Sequence, residues 1–366
     1  MIVTILSIVC FVSGAQAASG NGSRIQMAIL LDTSGSMEGL IEQAKSQLWR
    51  IVNEMTLAKK GGHRPDMEVA LFEYGKSSIP ASEGYLRMIV PLSNDLDRIS
   101  EELFKLKTNG GDEFCGQVIQ ASTQGLQWSP DHGHLKVIVI AGNEPFTQGP
   151  VDYRVACKEA VARGITINTI FCGNYDKGVK TNWKDGADLA DGRYMNIDQN
   201  QKMVHVAAPQ DAEILRLGQE LNKTYIAYGQ AGAARKDRQS EQDSLAYSMA
   251  PGVMLERAVT KSSKQYQNKT WDLVDAEIAG EVDVAAVKDE DLPQEMREMT
   301  IEERKQYVEE REKERKALQE KINRLNKERR LYVETQRKNL SETQTLDQAV
   351  IKALRSQAET RGFVFE

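Results

Sequence analysis

Short apolar runs recur along the first two thirds of the chain, separated by segments of helical period. The first, IQMAILL (25–31), is nearly continuous in apolar residues, as expected of a strand covered on both faces. MEVALFEY (67–74), YLRMIVPL (85–92), LKVIVIAG (135–142), ITINTIFCG (165–173) and GRYMNI (192–197) predict five more strands. Between them, residues 41–55 place Ile41, Ala44, Leu48, Ile51, Val52 and Met55 on one helical face. Further helices are predicted over 95–107, 117–127, 152–164 and 209–229, the fourth closed by Gly164 and the last opening near Asp211. Strands alternating with helices predict an α/β fold over 24–229, an open, mostly parallel, doubly wound sheet with helices on both faces. The third strand follows the second after only a short loop, so it is expected to pair antiparallel at an edge.

Beyond residue 230 the pattern changes. Residues 230–299 read as a polar linker with one docking segment, KTWDLVDA (269–276). From 300 to 366 the chain reads as a charged helical region, with a long helix over about 300–340. Its apolar residues Ile301, Val308, Leu318, Ile322, Leu325 and Tyr332 are interrupted by Arg304, Arg311, Arg315 and Arg329. Pairs such as Glu309/Lys313 and Glu320/Arg324 stand in the favourable i,i+4 order. A coiled-coil-like helix that self-associates through 300–340, a solvated helix, and one folded back on 345–363 all fit this pattern.

Composition narrows the class. With 53 acidic and 47 basic residues, the net charge of −6 leaves no basic excess for nucleic acid. Ile2 to Val12 followed by AQA (15–17) reads as a secretory signal cut after Ala17, which implies export to the periplasm or cell envelope. No other run reaches the length of a membrane span. Cys115, Cys157 and Cys172 then allow one disulfide or three buried thiols, and their spacing matches no zinc pattern.

The candidate chemistry lies where the first strand ends. LLDTSGSM puts one carboxylate, Asp32, and two hydroxyls, Ser34 and Ser36, on the loop above that strand, and ligands in open α/β sheets sit at this edge. Such a set suits a small hard cation that takes oxygen ligands and keeps several waters. The competing reading is a polar turn that caps the next helix. This Asp-x-Ser-x-Ser motif resembles the metal-ion-dependent adhesion site of the von Willebrand factor A family, and GGDEFCGQVIQAS and VIVIAGNEP resemble its second and third metal loops. The resemblance covers 24–228 and implies a six-stranded sheet ordered 3-2-1-4-5-6. It also implies a divalent cation, most readily Mg2+ with Mn2+ or Ca2+ as alternatives, and a protein partner whose Asp or Glu completes the coordination. Carried onto this chain, the ligands are Asp32, Ser34 and Ser36. Asp112 stands where the family commonly has Thr, with Thr108 as fallback. Gly142 stands where the third-loop Asp is usual, which leaves Glu144 or Asn143 as substitute.

Other candidates are Trp183, placed near the rim as a partner-binding residue with Asn143, and DHGHL (131–135), whose histidines suit zinc. No catalytic motif is present: there is no Gly-x-Ser-x-Gly elbow, phosphate loop or His-Glu-x-x-His. The expected function is metal-dependent protein binding without catalysis. The alternative is a scaffold acting through the charged helix.

Overall fold

The computed structural model describes residues 22–197, 206–337 and 346–365; the signal-like segment lies outside them. Eight strands run β1 (Arg24–Asp32), β2 (Ala58–Lys59), β3 (Asp66–Tyr74), β4 (Leu86–Ser93), β5 (Leu135–Gly142), β6 (Thr166–Cys172), β7 (Tyr194–Ile197) and β8 (Val364–Phe365). Six of them form one sheet in the order β4-β3-β1-β5-β6-β7, and only β4 is antiparallel to its neighbour. Counting those six alone, the order is the expected 3-2-1-4-5-6. The short strands β2 and β8 pair separately, so the end of the chain is tied back to the loop after the first helix.

Every residue of β5 is buried, Lys136 included, as the apolar run from Val137 to Ala141 requires of a central strand covered on both sides. One face packs against α3 (Cys115–Gly125), α4 (Tyr153–Ala162) and α6 (Trp183–Asp188), through Ala28, Leu30, Ile138, Ile140 and Phe171. The other face buries Ile25, Met27, Val137 and Val139 beneath α1 (Glu38–Met55), α2 (Leu96–Lys105) and α7 (Asp211–Asn222). Two elements complete the inventory of the α/β region: α5 (Tyr175–Lys180) and the turn-like segments between strands. Cys115, Cys157 and Cys172 are all buried and unpaired, which settles their role as apolar packing rather than a disulfide. No helix among the described residues is long and apolar enough to cross a membrane.

The expected linker is corrected. Residues 232–261 form two helices, α8 (Gly232–Met249) and α9 (Pro251–Lys261), which pack on α1, α2 and α7. Helix α8 escaped a reading by apolar period because the side it buries is Gln239, Gln242, Asp243 and Ala246. The segment 269–276 does dock: Trp271 stacks on Tyr225 at 5.9 Å, and Asp272 caps α10 (Leu273–Ile278) by accepting the Asp275 N–H.

The long helix α11 (Ile301–Arg337) lies along this body. Its inward positions, Arg304, Val308, Arg311, Arg315, Leu318, Ile322, Leu325 and Arg329, step by four and three residues. All four arginines that seemed to interrupt the stripe therefore belong to it, and three of them reach acids outside the helix. Arg304 pairs with Asp289 at 2.5 Å, Arg315 with Asp272 and Asp275 at 2.6 and 2.7 Å, and Arg329 with Asp211 at 2.8 Å. The stripe is filled by the chain's own acids, so it is not free for the self-association expected of 300–340. Helix α12 (Leu346–Thr360) returns to α1, with Arg355 on Glu54.

Candidate metal centre

Three loops leave the carboxyl edge of the sheet side by side. In the register, Asp32 faces Tyr74 across β1 and β3, and Leu31 faces Ala141, the residue before Gly142, across β1 and β5. Parallel pairing thus delivers the ends of three strands to one place.

Asp32 is fully buried. Its Oδ1 accepts the Ser34 N–H at 2.7 Å, and the Ser34 and Ser36 Oγ atoms lie 3.4 Å apart. Asn143 Nδ2 donates to Ser36 Oγ at 3.1 Å, which joins the first loop to the third. The cap position of α1 falls on Met37, which supplies no side-chain bond, so Asp32 is not spent as a helix cap. Its second oxygen, Oδ2, is buried with no hydrogen-bond partner, and so is Asn143 Oδ1. Burial raises the Asp32 pKa to about 7, against the bonds from Ser34, and the Glu144 charge pushes it the same way as burial.

The second loop is stitched to the first. Asn109 N–H donates to Thr33 O at 2.9 Å, and Ser77 N–H to Gly110 O at 2.6 Å. This loop offers two adjacent acids, and the backbone sorts them. Asp112 is exposed, whereas Glu113 turns inward and is 7% exposed, its N–H held by Gln148 Oε1 at 3.1 Å. The buried member of the pair is thus Glu113, next to the Asp112 expected as a ligand. Gly75, at φ +78°, makes room for Glu113: a β-carbon there would lie 2.8 Å from Glu113 Cγ and 2.9 Å from Asp32 Oδ1. Burial, and next the Asp32 charge, raise Glu113 to about 7 as well, opposed by its bond to Ser34. Neither carboxylate has a basic partner among the described residues.

The third loop explains the missing aspartate. A β-carbon on Gly142 would lie 2.6 Å from Tyr74 Oη, 3.0 Å from Asp32 Oδ2 and 3.1 Å from Trp183 Cη2. Those side chains occupy the space that any residue there would need. Tyr74 Oη is anchored by donating to Ala141 O at 2.9 Å. Glu144 is half-buried and acts on Asp32 and Glu113 through space. Trp183, expected at the rim, is instead fully buried. It meets Phe146 edge-on at 4.8 Å and Phe171 at 5.9 Å, and its indole N–H donates to Glu144 O at 2.7 Å. Its role is to brace the third loop, because a side chain without exposed surface offers nothing to a partner.

The donors gathered here are carboxylate, hydroxyl and amide oxygens, a set that fits a hard divalent cation. Two buried acids without a counter-charge, and two buried oxygens without a hydrogen bond, are the electrostatic deficit such an ion would fill. Among the described residues no group of three or more His, Cys, Asp and Glu side chains gathers to hold a metal, so hydroxyl and amide oxygens are needed to complete the set. The DHGHL segment does not assemble a zinc site: His134 Nδ1 lies 2.8 Å from Ser129 Oγ, and Asp131 Oδ1 accepts the Gly133 N–H. Glu113, Tyr74 and Gly75 had no signal in the sequence beyond Glu113 standing next to the acid that was chosen.

Comparison with known proteins follows the same lines. No curated protein matches the chain. Among solved structures, the conserved hypothetical protein BatB from Bacteroides thetaiotaomicron is 16% identical, with 48% of this chain and 90% of that one covered at a TM-score of 0.36. The SpRpn10 VWA domain is 14% identical over 50% of this chain and all of that one (100%), at 0.36. Proximal thread matrix protein 1 from the mussel byssus, with a zinc-occupied MIDAS motif, is 12% identical over 49% and 43%, at 0.35. Residues 26–186 match the family model of the von Willebrand factor type A domain.

Proposed function

We propose that the protein is a metal-dependent protein-interaction module of the cell envelope, in which Asp32, Ser34, Ser36 and Glu113 hold a divalent cation, most readily Mg2+. Domains of this type are often metal-dependent interaction modules. The observation that carries the reading is Asp32 Oδ2, a fully buried carboxylate oxygen with no hydrogen-bond partner, beside a second buried acid with no basic neighbour. Asn143 and Glu144 contribute from the third loop, and Asp112 lies outside the inner set. The cation supplies a Lewis-acidic point to which a partner's Asp or Glu binds. The α/β unit of 24–229 is the binding unit, α8 to α12 brace it, and the segment before Gly22 directs export. The scaffold alternative is weaker, because the inward stripe of α11 is already filled by Asp211, Asp272, Asp275 and Asp289.

The test is an affinity capture from envelope extract with wild type and Asp32→Ala, each with and without chelator. A partner retained by wild type, lost on chelation and lost with Asp32→Ala is expected. Retention that survives both treatments would overturn the reading.

A further inference from the structure

The opposite edge of the sheet holds a second feature, independent of the metal centre. Lys136 lies near the start of β5, six residues from Gly142 and roughly 20 Å away along the strand. It is 3% exposed. An ammonium has three N–H donors. Two are spent on main-chain carbonyls, Ser129 O at 2.8 Å and Arg163 O at 2.6 Å. No carboxylate touches it among the described residues: Asp131 acts on it only through space, and Glu159 is committed to Arg163 at 3.1 Å. A buried cation is therefore left with one donor to spare and no carboxylate in contact, an arrangement that an anion would improve.

Space for that anion adjoins it. A cavity of about 400 Å³ is lined by Lys136, Arg163, His132, Trp128, Leu126 and Pro130. Gly164 keeps its polar end open: a β-carbon there would lie 3.0 Å from His132 Nδ1 and 3.5 Å from Lys136 Nζ. The Trp128 indole is fixed by its bond to Ser122 O at 3.0 Å, which presents a firm apolar wall. Pockets of this size and mixed lining take small organic ligands.

We infer that this cavity binds a small monocarboxylate carried on an apolar group, its carboxylate on Lys136 Nζ and its apolar part against Trp128, Leu126 and Pro130. The charge count selects a monoanion. The Arg163 charge is balanced by Glu159, and the charges of Arg361 and Asp131 act on Lys136 in opposite senses, so one positive charge remains and a dianion would leave one negative charge buried. Arg361 donates to His132 O at 2.8 Å, so the last helical turn of the chain helps set the loop that forms the cavity wall.

Benzoate and inorganic phosphate serve as probes in ligand-observed NMR titrations of the full chain. Benzoate is expected to bind saturably in the millimolar range, and Lys136→Met to weaken it roughly tenfold or more, as the loss of a charged hydrogen bond does. Ala162→Phe, which fills the cavity from an exposed position without touching Lys136, is expected to abolish binding. It also decides the matter should Lys136→Met fail to fold. Asp32→Ala should leave benzoate binding unchanged, which separates this site from the metal centre. Absence of saturable binding, equal binding by Ala162→Phe, or phosphate binding as tight as benzoate would each overturn the inference.

Discussion

Two of the clusters in which the protein buries charge are built to opposite plans. Between α2, α8 and α9, Arg257 donates to Asp97 at 2.7 Å and to Asp243 at 2.5 Å. Lys261 meets Asp243 at 2.5 Å, and Tyr266 Oη donates to Asp97 at 2.5 Å. Two cations face two anions, and the Arg257 guanidinium lies over Trp49 at 4.8 Å. Burial alone would lower the Arg257 pKa, but the Asp97 and Asp243 charges more than reverse it, so the group stays charged. At the sheet edge, Asp32 and Glu113 are buried with no basic partner among the described residues, and both are pushed up to about 7. Desolvation acts on both clusters. The balanced one holds helices together; the unbalanced one keeps the charge deficit that the proposed cation would fill.

That contrast sets the predictions. Breaking the balanced cluster should cost most: Arg257→Met strands two buried carboxylates and should lower stability by about 3–5 kcal/mol in urea unfolding, with or without Mg2+. A loss below ~1 kcal/mol would mean that the network does not hold α8 and α9 to α2. In the unbalanced cluster, Asp32→Ala should weaken Mg2+ binding on the order of 100-fold by calorimetry while leaving the metal-free fold intact. Wild-type affinity after this substitution would remove Asp32 from the site.

The pH dependence should run in opposite directions for the metal-free and metal-bound forms. The folded pKa values of Asp32 and Glu113 lie above their ordinary values of 3.8 and 4.5. Their contribution to the metal-free fold is therefore greatest below about pH 4 and is lost as pH rises to about 7, at ~1.4 kcal/mol per pKa unit for each. Mg2+ competes with those protons, so its affinity should climb over the same window and level off above it. Thermal melts from pH 4 to 8 with and without Mg2+ read both trends, and a flat metal-free profile would argue against raised pKa values. Within the second loop, Glu113→Gln should weaken Mg2+ roughly tenfold, whereas Asp112→Asn should change it less than about twofold. The reverse ranking would restore Asp112. Smallest of all, Lys313→Ala on the solvent face of α11 should leave the melting temperature unchanged, since its partner Glu309 is equally exposed.

The parts of the molecule differ in how far they could be read in advance. The sheet was legible because burial on both faces demands apolar runs such as IQMAILL and LKVIVIAG. The first loop was legible as a candidate site because three short oxygen donors stand at the end of a buried strand. Helix α8 was not, because its inward face is glutamine and aspartate paired to Ser100, Tyr266 and Arg257 from other elements. Arginines inside the α11 stripe looked like errors for the same reason. The carboxylate partners of Arg304, Arg315 and Arg329 lie between 15 and 118 residues away.

By itself, then, the sequence determined the strand and helix order, the edge at which Asp32, Ser34 and Ser36 meet, and the absence of known catalytic motifs, because these follow from period and local residue chemistry. Only the tertiary structure decided that Glu113 rather than Asp112 faces Asp32, that Trp183 braces the third loop from within, and that the charged helix spends its arginines on its own chain. Each of those is a choice between adjacent or alternative neighbours. Backbone direction and packing make that choice, and residue type does not.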